Sequence, residues 1–122
     1  MRTRTALAAA TDASGILAFA AVGRASHVGT DGVGDALRVA APFLAAAALT
    51  WVVTRTFRDP LPVRTAGVRV WLGTWAAGMV IRGLTGGGLA PSFLVVAAAA
   101  LGVLLVGWRG IVALVSATRG AR

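Results

Sequence analysis

Four long apolar runs, separated by short arginine-bearing segments, decide what this chain can fold into. Of its 122 residues 57% are hydrophobic and 13% are charged, whereas an average soluble domain carries about 25% charged residues. Apolar runs of about 20 residues match the hydrocarbon thickness of a bilayer. Within that layer only a helix or a closed barrel satisfies its own backbone polar groups. The expected fold is therefore all-α: a polytopic membrane protein with four transmembrane helices in one compact bundle, a single domain over 1–122. The helices are expected at roughly 6–23, 36–54, 66–84 and 89–115.

The punctuation between the runs supports those bounds. Gly23-Arg24-Ala25-Ser26-His27 ends the first run, and a glycine-rich stretch with Asp31 follows. Asp35 is placed to cap the second helix, because its side chain can accept from a free N–H of the first turn. Pro42 falls inside that helix, where neighbouring helices can accommodate it. Prolines 60 and 62 with arginines 55, 58 and 64 make a loop. The third run is the shortest, with only 70–81 free of charge, and Arg69 and Arg82 can snorkel from its two ends. Pro91 suits the first turn of the fourth helix. Arg2 and Arg4 ahead of an apolar run look like a secretory leader. However, Asp12 interrupts that run and three more follow, so a retained first helix is expected.

Arginine sets the orientation. All twelve basic residues are Arg. Arg2, Arg4, Arg55, Arg58, Arg64, Arg69, Arg109, Arg119 and Arg122 fall on one side, and Arg24, Arg38 and Arg82 on the other. The positive-inside rule then puts both termini in the cytoplasm, with the chain in the cell (cytoplasmic) membrane. Trp51, Trp71 and Trp108 fall at the cytoplasmic ends and Trp75 about one turn deeper, the belt position that tryptophan favours.

Asp12 is the exception to the apolar pattern. A carboxylate near the centre of a span costs about 2.5–3.5 kcal/mol on insertion scales, so it faces a partner or a cavity. Its helical face continues through Gly15, Ile16, Phe19 and Gly23, where the glycines permit close helix approach. Two readings of Asp12 are open. It can pair with Arg69 or Arg109, both expected at its depth, and lock helices together. Alternatively, it can handle a proton or a cation in a pathway.

A second polar group, Arg24, His27, Asp31, Asp35, Arg38 and Arg82, gathers at the outer ends of the spans. Contact with solvent and lipid headgroups is one account of it. A small anion site between Arg24 and Arg82 is the sharper one. His27 is the only histidine, and one histidine with scattered aspartates is a poor metal site. With no cysteine, disulfides and thiolate metal sites are excluded. The glycine clusters follow no strand and carry no P-loop lysine, so no nucleotide site is expected. No Ser or Thr has a base at a triad-like spacing, so neither an enzyme activity nor a cofactor is expected. The net charge of +8 is assigned to arginines flanking spans rather than to nucleic-acid binding.

Taken together, Asp12, then Gly23-Arg24-Ala25-Ser26-His27, Pro42-Phe43-Leu44, Trp71, Arg82 and Gly107-Trp108-Arg109 resemble a prokaryotic membrane family known as domain of unknown function 3054. The resemblance implies a compact four-helix protein and no assigned activity. It marks Asp12, Arg24, His27, Arg82 and Arg109 as polar positions to follow. The expected role is that of an accessory, interaction or structural membrane protein with an intramembrane charge pair. Its partners would be the lipid bilayer and either further copies of the chain or another membrane protein. The alternative is a small proton- or ion-coupled transporter or channel subunit that uses Asp12.

Overall fold

A computed structural model describes residues 2–25, 32–86 and 89–120. Helix α1 covers Arg2–Ala25, α2 covers Gly32–Val53 and α3 covers Val68–Leu84. One continuous rod then runs over 91–120, made of α4 (Pro91–Leu101), a wider π turn (Gly102–Val106) and α5 (Gly107–Gly120). A second π turn, Val63–Gly67, leads into α3. The described chain is therefore all-α with four helical rods. Asp35 lies inside α2 rather than at the position ahead of it that a cap would take. The third helix begins at Val63 through its π turn, and the fourth continues past residue 115 to Gly120.

The rods pack antiparallel, as paired residues along them show. From α1 to α2, Asp12 meets Trp51 and Phe19 meets Phe43. From α1 to the last rod, Asp12 meets Arg109 and Phe19 meets Phe93. From α3 to α4, Trp71 meets Ala98 and Trp75 meets Leu94. In each series one partner number rises while the other falls. One end of the bundle therefore gathers the start of α1, the 54–62 loop and the end of α5. Arg38 and Arg82 mark the opposite end.

The sequence reading sought close helix approach at Gly15 and Gly23. The structure finds it between α2 and α3 instead. A side chain at Gly15 would meet Leu104 at an ordinary 3.5 Å, and one at Gly23 would meet nothing within 4 Å. A methyl at Gly73 would overlap Thr50, and one at Gly78 would overlap the ring of Phe43. Without a Cβ at these two positions, α2 and α3 come into van der Waals contact, the packing that drives association within lipid. Phe43, fully buried, stands edge-on to Phe19 with centroids 5.4 Å apart and also contacts Phe93 at 6.4 Å. Ile16, Ala20, Ala40, Val70 and Leu101 fill the space around this cluster.

Many large apolar side chains also line the outer surface of the rods. Val22, Val52, Val80, Val95, Val103 and Leu114 are each more than 60% exposed. A helix that is apolar all round belongs in lipid or in a large core. Thr3–Gly23, Ala36–Val53 and Pro91–Arg119 are each long and apolar enough to cross a membrane. Helix α3 has 17 residues. With its leading π turn the helical stretch 63–84 extends for about 30 Å.

Candidate functional site: a saturated carboxylate inside the bundle

Asp12 lies about ten residues into α1 and is 2% exposed. Arg109, fully buried, grips its carboxylate with both terminal nitrogens. Nη1 donates to Oδ1 and Nη2 to Oδ2, each at 2.8 Å. This two-pronged geometry is the strongest form of an arginine–carboxylate contact. Two indoles complete the carboxylate's shell. Trp108 Nε1 donates to Oδ1 at 2.8 Å and Trp51 Nε1 to Oδ2 at 3.0 Å. Four donors thus fill about four lone-pair positions.

Arg109 is satisfied in turn. Its Nε donates to the Pro60 carbonyl at 2.7 Å, and Nη1 also donates to the Leu105 carbonyl at 2.9 Å. Its guanidinium lies 4.5 Å from the Trp108 ring centroid, a cation–π distance. The pair therefore ties α1, the end of α2, the 54–62 loop and the last rod to one point. The loop is held over it by Thr5, whose hydroxyl donates to the Phe57 carbonyl at 3.0 Å. Burying two charges is expensive, and only close geometry with further hydrogen bonds offsets that cost.

The π turns aim these groups. Ala97, Leu101, Leu105 and Arg109 are all fully buried, at a spacing of four residues. An uninterrupted α-helix would rotate Arg109 about 120° away from the face of Ala97 over that distance. The wider turn at Gly102–Val106 absorbs the drift and keeps Arg109 pointing inward. The π turn at Val63–Gly67 brings the buried Gly67 against the arginine stem, where a Cβ would lie 3.1 Å from Arg109 Cδ.

The other polar positions are placed as follows. Of the two arginines expected near Asp12, Arg109 makes the pair and Arg69 is exposed. Arg82 lies over the Phe93 ring at 4.3 Å, at the opposite end of the bundle. His27 and Asp31 lie outside the described residues, as do the side chains of Arg24 and Asp35. The anion site expected between Arg24 and Arg82 thus falls outside the described residues too. Among the described residues no three His, Cys, Asp or Glu side chains gather to hold a metal ion.

Sequence reasoning missed Trp51, Trp108 and the Pro60 carbonyl as parts of this network. It treated the tryptophans as headgroup anchors. In the structure all four indole N–H groups donate within the bundle. Two donate to Asp12, Trp71 donates to the Ala98 carbonyl at 2.7 Å, and Trp75 donates to the Leu94 carbonyl at 3.0 Å. The signal was available: a buried carboxylate needs several donors, and two indoles were already expected near its end of the bundle. Trp51→Phe, which removes the N–H donor and leaves a smaller aromatic ring, should destabilise the folded protein by about 1–2 kcal/mol. An SDS unfolding titration measures this, and an unchanged midpoint would mean the indole bond contributes nothing.

A cavity of about 310 Å³ between α1 and α2 reaches Asp12 and Trp51, and its remaining walls are alanines 9, 13, 47 and 48 with Ile16 and Leu44. It offers a proton or cation no polar relay beyond Asp12 itself.

No curated protein and no solved structure matches the chain. A protein-family model does, over residues 9–112, and its description reads "Protein of unknown function (DUF3054)". The matched stretch contains Asp12, Trp51, Pro60, Trp108 and Arg109. It covers most of the chain, and the four-helix architecture agrees with the resemblance. The chain belongs to the DUF3054 family.

Proposed function

We propose that this is an integral protein of the cytoplasmic membrane that crosses it four times with both termini inside. Its role is that of a structural or interaction component, held in one conformation by the Asp12–Arg109 pair. The observation that carries this reading is the saturation of the Asp12 carboxylate by four donors, one from α2 and three from α5. A transport carboxylate must exchange its partner for a proton or a cargo ion. Here the partner guanidinium is itself buried and hydrogen-bonded to two backbone carbonyls, and the cavity between α1 and α2 that reaches Asp12 is otherwise walled by Trp51 and apolar side chains.

The orientation is supported by charge. Arg4, Arg55, Arg58, Arg64, Arg69 and Arg119 are all exposed and belong to the end that carries the termini. The crossing by α3 is supported by its place in the bundle, between α2 and α4, and by its length with the leading π turn. Partners of such a component are the bilayer and either a second copy or another membrane protein. No catalytic activity is assigned.

A flux assay tests the role. Full-length protein in proteoliposomes under an imposed pH gradient is expected to pass no proton or cation current above empty vesicles. A wild-type flux that Asp12→Asn abolishes would establish the transporter reading and overturn this one.

A further inference from the structure

Beyond the buried pair, α1 and α5 diverge toward the end that carries the termini. They leave a cleft of about 490 Å³ closed on its third side by Leu61 of the loop. Thr11 and Trp108 form its floor, Leu7 and Val112 its walls, and Thr3 and Arg4 its mouth. Seven residues separate Thr11 from Arg4, so the cleft is about 10 Å deep. It is apolar below and cationic at the rim. Arg4 has no ion-pair partner among the described residues. The surrounding end of the molecule carries a large excess of arginine, while the Asp12 carboxylate is consumed by Arg109 and Asp59 is exposed on the loop. The anion that balances this rim must come from outside the protein.

We propose that the cleft binds one anionic phospholipid of the inner leaflet. The phosphate sits at Arg4 and Thr3, and the glycerol with the first part of an acyl chain lies against Leu7, Val112 and the Trp108 ring. A basic cleft between helix ends, apolar in its depth, suits such a lipid on the cytoplasmic side. Its volume lies within the range of small-molecule sites. The inference rests on the membrane orientation proposed above.

Native mass spectrometry of the detergent-purified full chain tests it. Phosphatidylglycerol, phosphatidylcholine and inorganic phosphate are added in separate arms. The wild type is expected to retain one phosphatidylglycerol in preference to phosphatidylcholine and to retain no inorganic phosphate. Arg4→Gln should lower phosphatidylglycerol retention about fivefold, the factor expected for one arginine at an anionic surface. Val112→Trp, which fills the cleft, should lower it as well, and Arg119→Gln should not. Equal retention of the two lipids would overturn the proposal. So would an Arg4→Gln loss no larger than that of Arg119→Gln, retention of free phosphate, or a lipid-free dimer abolished by Val112→Trp. Carbonate extraction of the same membranes separates the two failures. A chain that resists extraction but shows no lipid preference refutes this site alone, whereas a chain that is extracted refutes the membrane reading.

Discussion

Arg109→Met will destabilise the folded protein by about 3–5 kcal/mol, the usual cost of leaving one member of a buried ion pair without its partner. Methionine keeps much of the arginine's apolar stem, so the loss reports the charge and its hydrogen bonds rather than a cavity. The Asp12 carboxylate would keep the two indole donors and lose both guanidinium bonds. The Pro60 carbonyl would lose the donor that holds the loop over the pair. A folded-fraction assay in mild detergent, with SDS titration for the midpoint, should show a large drop in yield. A wild-type midpoint would mean that the carboxylate is held without Arg109.

The second large effect lies at the α2–α3 contact. Gly78→Val should cost about 3 kcal/mol, at the upper end of typical overpacking penalties. A branched side chain there would run into the Phe43 ring, itself fixed between Phe19 and Phe93, so neither helix can yield without opening the aromatic cluster. Adding Phe43→Ala makes room. The double variant should therefore be less destabilised than the two single losses added together, since contacting residues couple. Strict additivity in the SDS titration would show that the two positions do not meet.

The all-α fold with four rods was legible in the sequence from its apolar runs. A charge-poor run of about 20 residues is expected to become a helix in lipid, and this anticipated an all-α chain of four helical rods. The helix ends were read less well. Asp35 looked like a cap because aspartate often is one, yet α2 already begins at Gly32. At Val63–Gly67 and Gly102–Val106 the chain leaves the α period for a wider turn, which a fixed 3.6-residue pattern does not register. For that reason the buried series Ala97, Leu101, Leu105 and Arg109 does not read as one face on an ideal helical wheel.

The candidate site was half legible. A lone carboxylate in an apolar run demands a cation, and depth alone narrowed the choice to Arg69 and Arg109. Choosing between them required knowing that the last rod turns Arg109 inward while Arg69 stays exposed at the start of α3. The indole donors were hidden by tryptophan's double nature. Its ring favours the headgroup level, but its N–H seeks an acceptor when buried, and here the acceptor decides. Glycine misled in a similar way. Gly15 and Gly23 share a face with Asp12, but among the described glycines the tightest approaches are at Gly73 and Gly78.

A double-mutant cycle on Asp12→Asn and Arg109→Gln, read by SDS unfolding of the full chain, tests the central claim most directly. If the two side chains form one locking unit, each single variant is strongly destabilised. The double variant then recovers much of the loss, with a coupling energy of about 2–3 kcal/mol. A coupling near zero, with Asp12→Asn as stable as the wild type, would contradict the lock and leave Asp12 free for another role.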